Sequence, residues 1–298
     1  MKLVADRAEV SVPGSIAGLG SGYHVLAVAV GPVQRTVVRA VAGDSRIMGL
    51  GPLERGMNPR DHGTVRAALT LLDRVGAPQV GLLLQCLSRL PAGSGLGGHA
   101  ADVATGLVAV RGMLGSPPGL GDEDLVDMAV ELGVDRVRAR AALFGGAALG
   151  DAEVAWTVPT SSSLTPVAFV PNFALDEQLR VPESQVVRYP DAQASAQSLG
   201  LQVALLTGAL QPDRELLMAA TQNAMSRDQG PPPSPASAAL VEWLRKQSVP
   251  AFTSGQGPAV VSLSPVSDRI IESAARSGWQ QLDLMLQVRS ALGAAGSV

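Results

Sequence analysis

Four glycines fall within six residues, at Gly93, Gly95, Gly97 and Gly98, preceded by Leu90 and Pro91. Such a run lets the backbone take positive φ and approach a ligand closely. From His99 onward Ala100, Ala101, Ala104, Leu107 and Val108 recur on related faces of a helix. A glycine loop that runs straight into a helix start leaves several N–H groups unpaired and pointing the same way. Together with the helix dipole they form an anion site, most often for phosphate. The candidate phosphate-binding residues are Pro91, Gly93, Ser94, Gly95, Leu96, Gly97, Gly98 and His99. The dipole at His99 disfavours a protonated ring there.

Two common phosphate motifs do not fit. Gly93-x-Gly95-x-x-Gly98 matches the dinucleotide fingerprint formally, but Leu87–Pro91 separates it from the preceding strand. Past the helix, Gly115–Gly121 is a loop where a second strand should begin. No Lys-Ser or Lys-Thr follows the glycines, so a Walker A loop is absent.

The 298 residues suffice for one large domain or two ordinary ones, and 46% are apolar, enough to fill a core. A net charge of −3 argues against nucleic acid as a partner, since phosphate-backbone binding needs clustered Lys and Arg. The single cysteine, Cys86, cannot form an internal disulfide and reads as a small core residue of Val80–Leu87. Charges in Met1–Glu9 interrupt what a secretory signal would need, and no run is long enough to span a membrane. The expectation is a cytoplasmic protein with a small-molecule substrate.

Along the chain, Arg7–Val12 reads as a strand ending at Pro13, followed by a second glycine-rich loop over Pro13–Gly22. Tyr23–Val30 and Arg35–Val41 read as two strands. Asp61 is a candidate cap for a helix over Thr64–Val75, with His62 at the surface or at the helix start. Val80–Leu87 reads as a buried strand, His99–Met113 as a helix, and Asp102 as an acid complementing that helix's dipole. Helices follow at Glu123–Leu132, capped by Asp122, and at Asp135–Leu143, where Asp135 is a cap by default. Strands follow over Ala147–Val158 and Leu164–Val170. The second half gives helices at Asp191–Leu210, Asp213–Ser226, Ala236–Gln247 and Ser267–Arg276. Its strands are Ala251–Thr253, Val260–Leu263 and Asp283–Val288, and Ser254–Pro258 is a third glycine turn. Strands and helices do not alternate strictly, so the class is α+β. The composition shift at Thr160–Ser163 suggests domains of 1–160 and 161–298.

The three glycine segments in this order resemble the GHMP small-molecule kinases, and among them the homoserine kinases. Val12–Ala29 is similar to the family's Val-Pro-Ala-Thr-Ser-Ala-Asn-Leu-Gly-Pro-Gly-Phe-Asp stretch, Pro91–Leu107 to its phosphate motif, and Thr253–Val261 to its third motif. Phe144-Gly-Gly146 and Arg180 before Pro182 also fall in family order. The resemblance runs from about residue 8 to 290. It implies an N-terminal domain with a fold shared with a ribosomal-protein domain and a ferredoxin-like C-terminal domain. It also implies ATP and Mg²⁺, transfer of the γ-phosphoryl to a small alcohol, and in many members a homodimer.

The same resemblance assigns candidate roles. Gly18, His24, Arg180, Ser254, Gly255 and Gly257 fall at substrate-side positions, and Arg180 suits a carboxylate as a bidentate fork. Gly18 and His24 replace the family's Asn and Asp; Gly98 and His99 replace its two metal-linked serines. Its Glu-Gly-His-Pro-Asp-Asn is here Gly133–Arg138, so Glu131, two residues earlier, is the candidate Mg²⁺ ligand. A family Arg near Gln229–Pro235 falls on Gly230. Two alternatives stand beside homoserine phosphorylation. One is a relative that binds nucleotide without turnover. The other is a diphosphocytidyl-methylerythritol kinase-like enzyme, resembled by Gly95–Asp102, Gly22-Tyr-His24 and Leu132–Asp135. Asp135 and His24 would then be candidate catalytic residues. The run Arg136, Arg138, Arg140 reads as a solvated helix face rather than a wall for phosphate.

Overall fold

The structure is a computed structural model that describes residues 2–19, 25–49, 57–88, 90–172, 192–211, 213–222, 234–255, 257–288 and 290–294. His24, Arg180 and Gly230 lie outside the described residues. Two sheets organise the rest.

The first sheet is built on one long strand. β1 (Arg7–Ala17) pairs antiparallel along the full length of β2 (Leu26–Val41). The other edge of β2 takes β4 (Gly81–Ser88) at one end and β5 (Ala147–Gly150) at the other; β3 (Arg46–Met48) and β6 (Ala155–Val158) extend these outward. β1 does not stop at Pro13, and Tyr23–Val30 and Arg35–Val41 are not separate strands. The register moves from Pro13↔Val33 to Gly14↔Val30, leaving Gly31 and Pro32 as extra residues on β2. A bulge on a long ribbon absorbs both prolines, which have no N–H for a ladder.

Side chains alternate along this ribbon and divide the core. Val10, Val12 and Val38 face α1 (Gly63–Arg74), α2 (Gly98–Met113) and α3 (Asp122–Glu131). Ala17, Ala27 and Ala29 are small enough to let α4 (Arg136–Phe144) lie close, through Val137 and Ala141. α2 is apolar on every side, and from Ala100 to Val110 all but Asp102 are buried, so it runs through the middle. Each fully buried Val or Leu of this kind contributes about 1.5–3 kcal/mol of transfer free energy.

The second sheet has the order β10-β7-β9-β8, formed by β7 (Val167–Pro171), β8 (Ala251–Thr253), β9 (Val260–Ser262) and β10 (Trp279–Asp283), with every pair antiparallel. α7 (Pro235–Lys246) lies between its first two strands in sequence and α8 (Asp268–Arg276) between its last two. Both cover one face through Leu240, Leu244 and Ala274 against Val167, Phe169 and Trp279. That is the ferredoxin-like arrangement. The other face carries Ala168, Phe252 and Val261. These pack with Leu205, Leu206 and Leu217 of α5 (Ala192–Leu206) and α6 (Arg214–Ala220), and with Ile16, Leu26 and Val28 of the first sheet. A shared core joins the two sheets.

The last strand is Trp279–Asp283, not Asp283–Val288. The segment after it ties back to β2 instead, with the Gly31 N–H donating to Met285 O and the Gln287 N–H to Ala29 O. Among the described residues no helix is long and apolar enough to cross a membrane.

Candidate active site

The glycine loop leaves β4 and enters α2 through three left-handed glycines, Gly93, Gly95 and Gly97, at φ +67°, +83° and +80°. Two of them also sit where no side chain fits. A Cβ on Gly95 would lie 2.5 Å from Gly257 O and 2.8 Å from Ser254 O. One on Gly97 would overlap Ser15 Oγ and lie 2.7 Å from Ser15 N. Between them Leu96 turns inward and is fully buried in the core shared by the two sheets. Ser94 is buried as well, its hydroxyl accepting from the Leu96 N–H at 3.3 Å. The side chains at 94 and 96 thus anchor the loop and leave its backbone outward.

Three glycine segments far apart in sequence meet here. The Ser15 N–H donates to Leu96 O at 2.9 Å, the Ala259 N–H to Ser94 O at 2.8 Å, and the Gly255 N–H to Ala17 O at 2.7 Å. Ser254 Oγ donates to Gly95 O at 3.0 Å. Gly18, at φ +74°, stands beside Gly255, and Gly257 is against Gly95. Ser254 is fully buried and its hydroxyl holds the loop, so it acts as a brace rather than as a wall of open space.

Among the helices whose caps are described, α2 alone combines a start without a side-chain cap bond and a first turn without an acid; α3 and α8 also lack the cap bond but begin with acids. Side chains cap α1 (His62), α4 (Asp135), α6 (Asp213) and α7 (Ser234), whereas α2 has Gly97 at its cap and no side-chain hydrogen bond. Its first turn carries no acid. A Cβ on Gly98 would meet nothing within 4 Å, so there is open space beside the first residue of α2, and the first-turn N–H groups have no acceptor within the helix. An anion accepts from such groups and complements the dipole. Ser15 Oγ, buried beside Gly97, has no hydrogen-bond partner, and an orphaned buried hydroxyl calls for an explanation. His99 is exposed on the first turn, with its Nδ1 3.7 Å from where a Gly63 Cβ would stand.

Several sequence expectations change. Asp102 lies past the first turn of α2; it accepts from Gln34 Nε2 at 2.7 Å and faces His62 Nε2 at 3.9 Å. His62, not Asp61, caps α1, with Nδ1 accepting from the Thr64 N–H at 3.2 Å, and it is buried, not superficial. Asp122 is the first residue of α3 rather than its cap; Asp124 accepts from the Gly121 N–H instead. Cys86 is half-buried on β4 rather than in the core. Asp135 does cap α4, its Oδ1 accepting from the Val137 and Arg138 N–H groups at 3.1 and 3.3 Å.

Glu131 is not at the loop. It pairs with Arg74 at 2.5 Å on an exposed surface. Arg74 ends α1, whose first residue, Gly63, lies against His99 and Asp102. Eleven residues of helix separate those ends by about 16 Å. The residue expected to hold Mg²⁺ therefore does not fit the site. Among the described residues no group of three or more His, Cys, Asp or Glu is placed to hold a metal ion. Sequence reasoning passed over Ser15 and placed Arg138 with Arg136 and Arg140 on a solvated helix face; the structure instead half-buries it. The guanidinium of Arg138 lies against Gly255, 2.8 Å from where its Cβ would be.

Residues 63–146 match the family model described as the GHMP kinases N terminal domain. The homoserine kinase of Streptomyces avermitilis is 34% identical over 296 residues, covering 96% of this chain and 95% of that one. The chain belongs to the homoserine kinase family of GHMP kinases. Solved structures agree on the fold. A homoserine kinase from Cytophaga hutchinsonii, 21% identical, covers 96% of both chains with a TM-score of 0.75. A 4-(cytidine 5'-diphospho)-2C-methyl-D-erythritol kinase, 23% identical, covers 95% of this chain and 98% of that one with a TM-score of 0.52. In this GHMP kinase the three motifs that carry the resemblance are the three segments that hydrogen-bond together around the start of α2.

Proposed function

We propose that the chain transfers the γ-phosphoryl group of ATP to the hydroxyl of L-homoserine, giving O-phospho-L-homoserine for threonine biosynthesis. The observation that carries this is the uncapped, acid-free start of α2, held open by glycines from three parts of the chain. The backbone N–H groups of Gly98, His99 and Ala100 bind the nucleotide's phosphates, and Gly93–Gly97 lets them approach. Phosphoryl transfer asks little covalent chemistry of the protein; positioning and charge neutralisation provide most of the rate. A cradle of fixed dipoles in a partly dry site meets that demand without reorganisation. The 34% identity to a homoserine kinase over nearly the whole chain supports homoserine as the acceptor. The division into units 1–160 and 161–298 belongs to this proposal, and the two sheets fall on either side of it.

The test is ADP release coupled to a reporter, with the full chain, ATP, Mg²⁺ and L-homoserine. Homoserine-dependent ADP release is expected. A second reading, nucleotide binding without turnover, draws on the position of Glu131 at the far end of α1. A rise in melting temperature with ATP, without homoserine-dependent ADP release, would overturn the first reading and establish the second.

A further inference from the structure

The three arginines of α4 look alike in sequence and are not alike in the fold. Arg136 and Arg140 are one turn apart and share a face. Arg136 pairs with Asp127 at 2.7 Å and donates to Ala152 O. Arg140 pairs with Glu123 at 2.6 Å, donates to Thr157 and lies over the Phe144 ring. Arg138 lies about 200° around the helix from both. It is half-buried, and among the described residues its guanidinium makes no hydrogen bond or ion pair. It lies against Gly255, where a Cβ would stand 2.8 Å from a guanidinium nitrogen. Gly255 is itself bonded to Ala17 and adjoins Ser254, which holds Gly95.

A half-buried cation with no carboxylate partner among the described residues is thus placed against the third glycine segment, where Gly255 meets the first. Ser15, two residues before Ala17, leaves a buried hydroxyl unpartnered at the same junction. Two unused donors of different kinds, one beside Gly97 and one beside Gly255 on the two sides of the hydrogen-bonded glycine segments, point to an anionic ligand. The acid closest in sequence, Asp135, has an oxygen turned to the backbone N–H groups of α4.

We propose that Arg138 is a binding residue for the terminal phosphoryl group of the nucleotide. This rests on the kinase reading above. A fixed guanidinium there would neutralise charge on the transferred group from the protein side. That need is raised in this chain, where Glu131 is a helix length from the loop and Gly98 and His99 stand in place of hydroxyls. A guanidinium fork suits two oxygens of one phosphoryl group, which a lysine contacts only as a point charge.

The experiment measures ATP and ADP affinity by calorimetry, and kinetics with L-homoserine, for the full-length wild type, Arg138→Gln and Arg138→Lys. The unliganded melting temperature of both variants should stay close to wild type, because among the described residues the Arg138 guanidinium has no hydrogen-bond or ion-pair partner to lose. Arg138→Gln should weaken ATP roughly tenfold or more, leave ADP within about twofold, and leave the KM for homoserine unchanged. Arg138→Lys should recover part of the loss. Unchanged ATP affinity in a folded Arg138→Gln overturns the proposal, and so does a selective rise in the homoserine KM, which would place the guanidinium on the substrate carboxylate. Equal losses of ATP and ADP also overturn it. If wild type shows no homoserine turnover but binds ATP in an Arg138-dependent way, the kinase reading falls and this one stands. Turnover unaffected by Arg138→Gln, with unaltered ATP affinity, sinks this one and leaves the kinase reading. A wild type that binds no ATP sinks both.

Discussion

Replacing Gly95 by alanine should damage both the fold and the cradle, and the cost can be worked from the geometry. The residue sits at φ +83°, where an L side chain costs about 1–2 kcal/mol. The new Cβ would stand 2.5 Å from Gly257 O, whereas ordinary contact begins at 3.4 Å. The loop and the third segment must separate by 3.4 − 2.5 = 0.9 Å. Overpacking of this kind costs about 1–3 kcal/mol. The same movement strains the Ser254 Oγ to Gly95 O bond, worth about 1 kcal/mol. The sum is about 4 kcal/mol, or roughly 8 °C in melting temperature for a chain of this size. Gly98→Ala is the control: it meets open space without positive φ, and should leave stability unchanged or raise it by about 0.5 kcal/mol. Calorimetric melts of the two variants, with the KM for ATP, test the reasoning. A Gly95→Ala protein that melts within about 1 °C of wild type and keeps its KM would refute it, as would equal damage from Gly98→Ala.

Substitutions at three further residues address other elements. Asp135→Ala should lose about 1 kcal/mol of helix capping, and Asp135→Asn only a few tenths, with turnover retained; if Asn abolishes turnover while the melting temperature holds, Asp135 is the base and not only a cap. Arg245 donates to Thr221, Met218 O and Ala251 O, and burial lowers its pKa from the ordinary guanidinium range while it stays charged. Arg245→Met should lower stability by roughly 2–3 kcal/mol in urea melts, with little rescue by Lys, which cannot reproduce the fork. Backbone N–H groups of Val154 and Glu153 hold the Asp151 carboxyl below its ordinary 3.8. Its contribution is complete above that value and disappears as pH falls through the lowered folded value. Asp151→Asn should therefore be less stable than wild type at neutral pH, and the gap should close in acid; a gap constant across that range would show that the charge is not involved.

What the sequence made legible were features with local causes. The glycine loop and α2 are written in consecutive residues, and Ala251–Thr253 was bounded by a proline and a glycine turn. Features set by partners were not legible. Pro13 and Pro32 each look like strand ends alone, and only their placement at one bulge keeps the strands whole. The alternation from Asp283 to Val288 is real, but β7 pairs with Trp279–Asp283 and leaves Leu286 only a single bridge to Val30. His62 next to Gly63 gives no sign of burial until Asp102, itself held by Gln34, comes to it from another element. Glu131 lies two residues from the position of the family's acid, yet its side chain turns to Arg74 at the far end of α1 from the glycine loop. Arg138 is separated from Arg136 and Arg140 only by what each one touches.

The bond from Ser254 to Gly95 spans 159 positions of chain. A nascent chain that has grown only through Ser163 contains the whole glycine loop and none of the residues that fasten it from the second sheet. The braced geometry of the loop is therefore a late property in synthesis, gained when Ala251–Ser262 folds against the first sheet rather than when the motif is made. A nucleotide seated in the loop would favour the assembled chain by mass action, so ATP would serve this protein as a reporter, and a guardian, of completed folding.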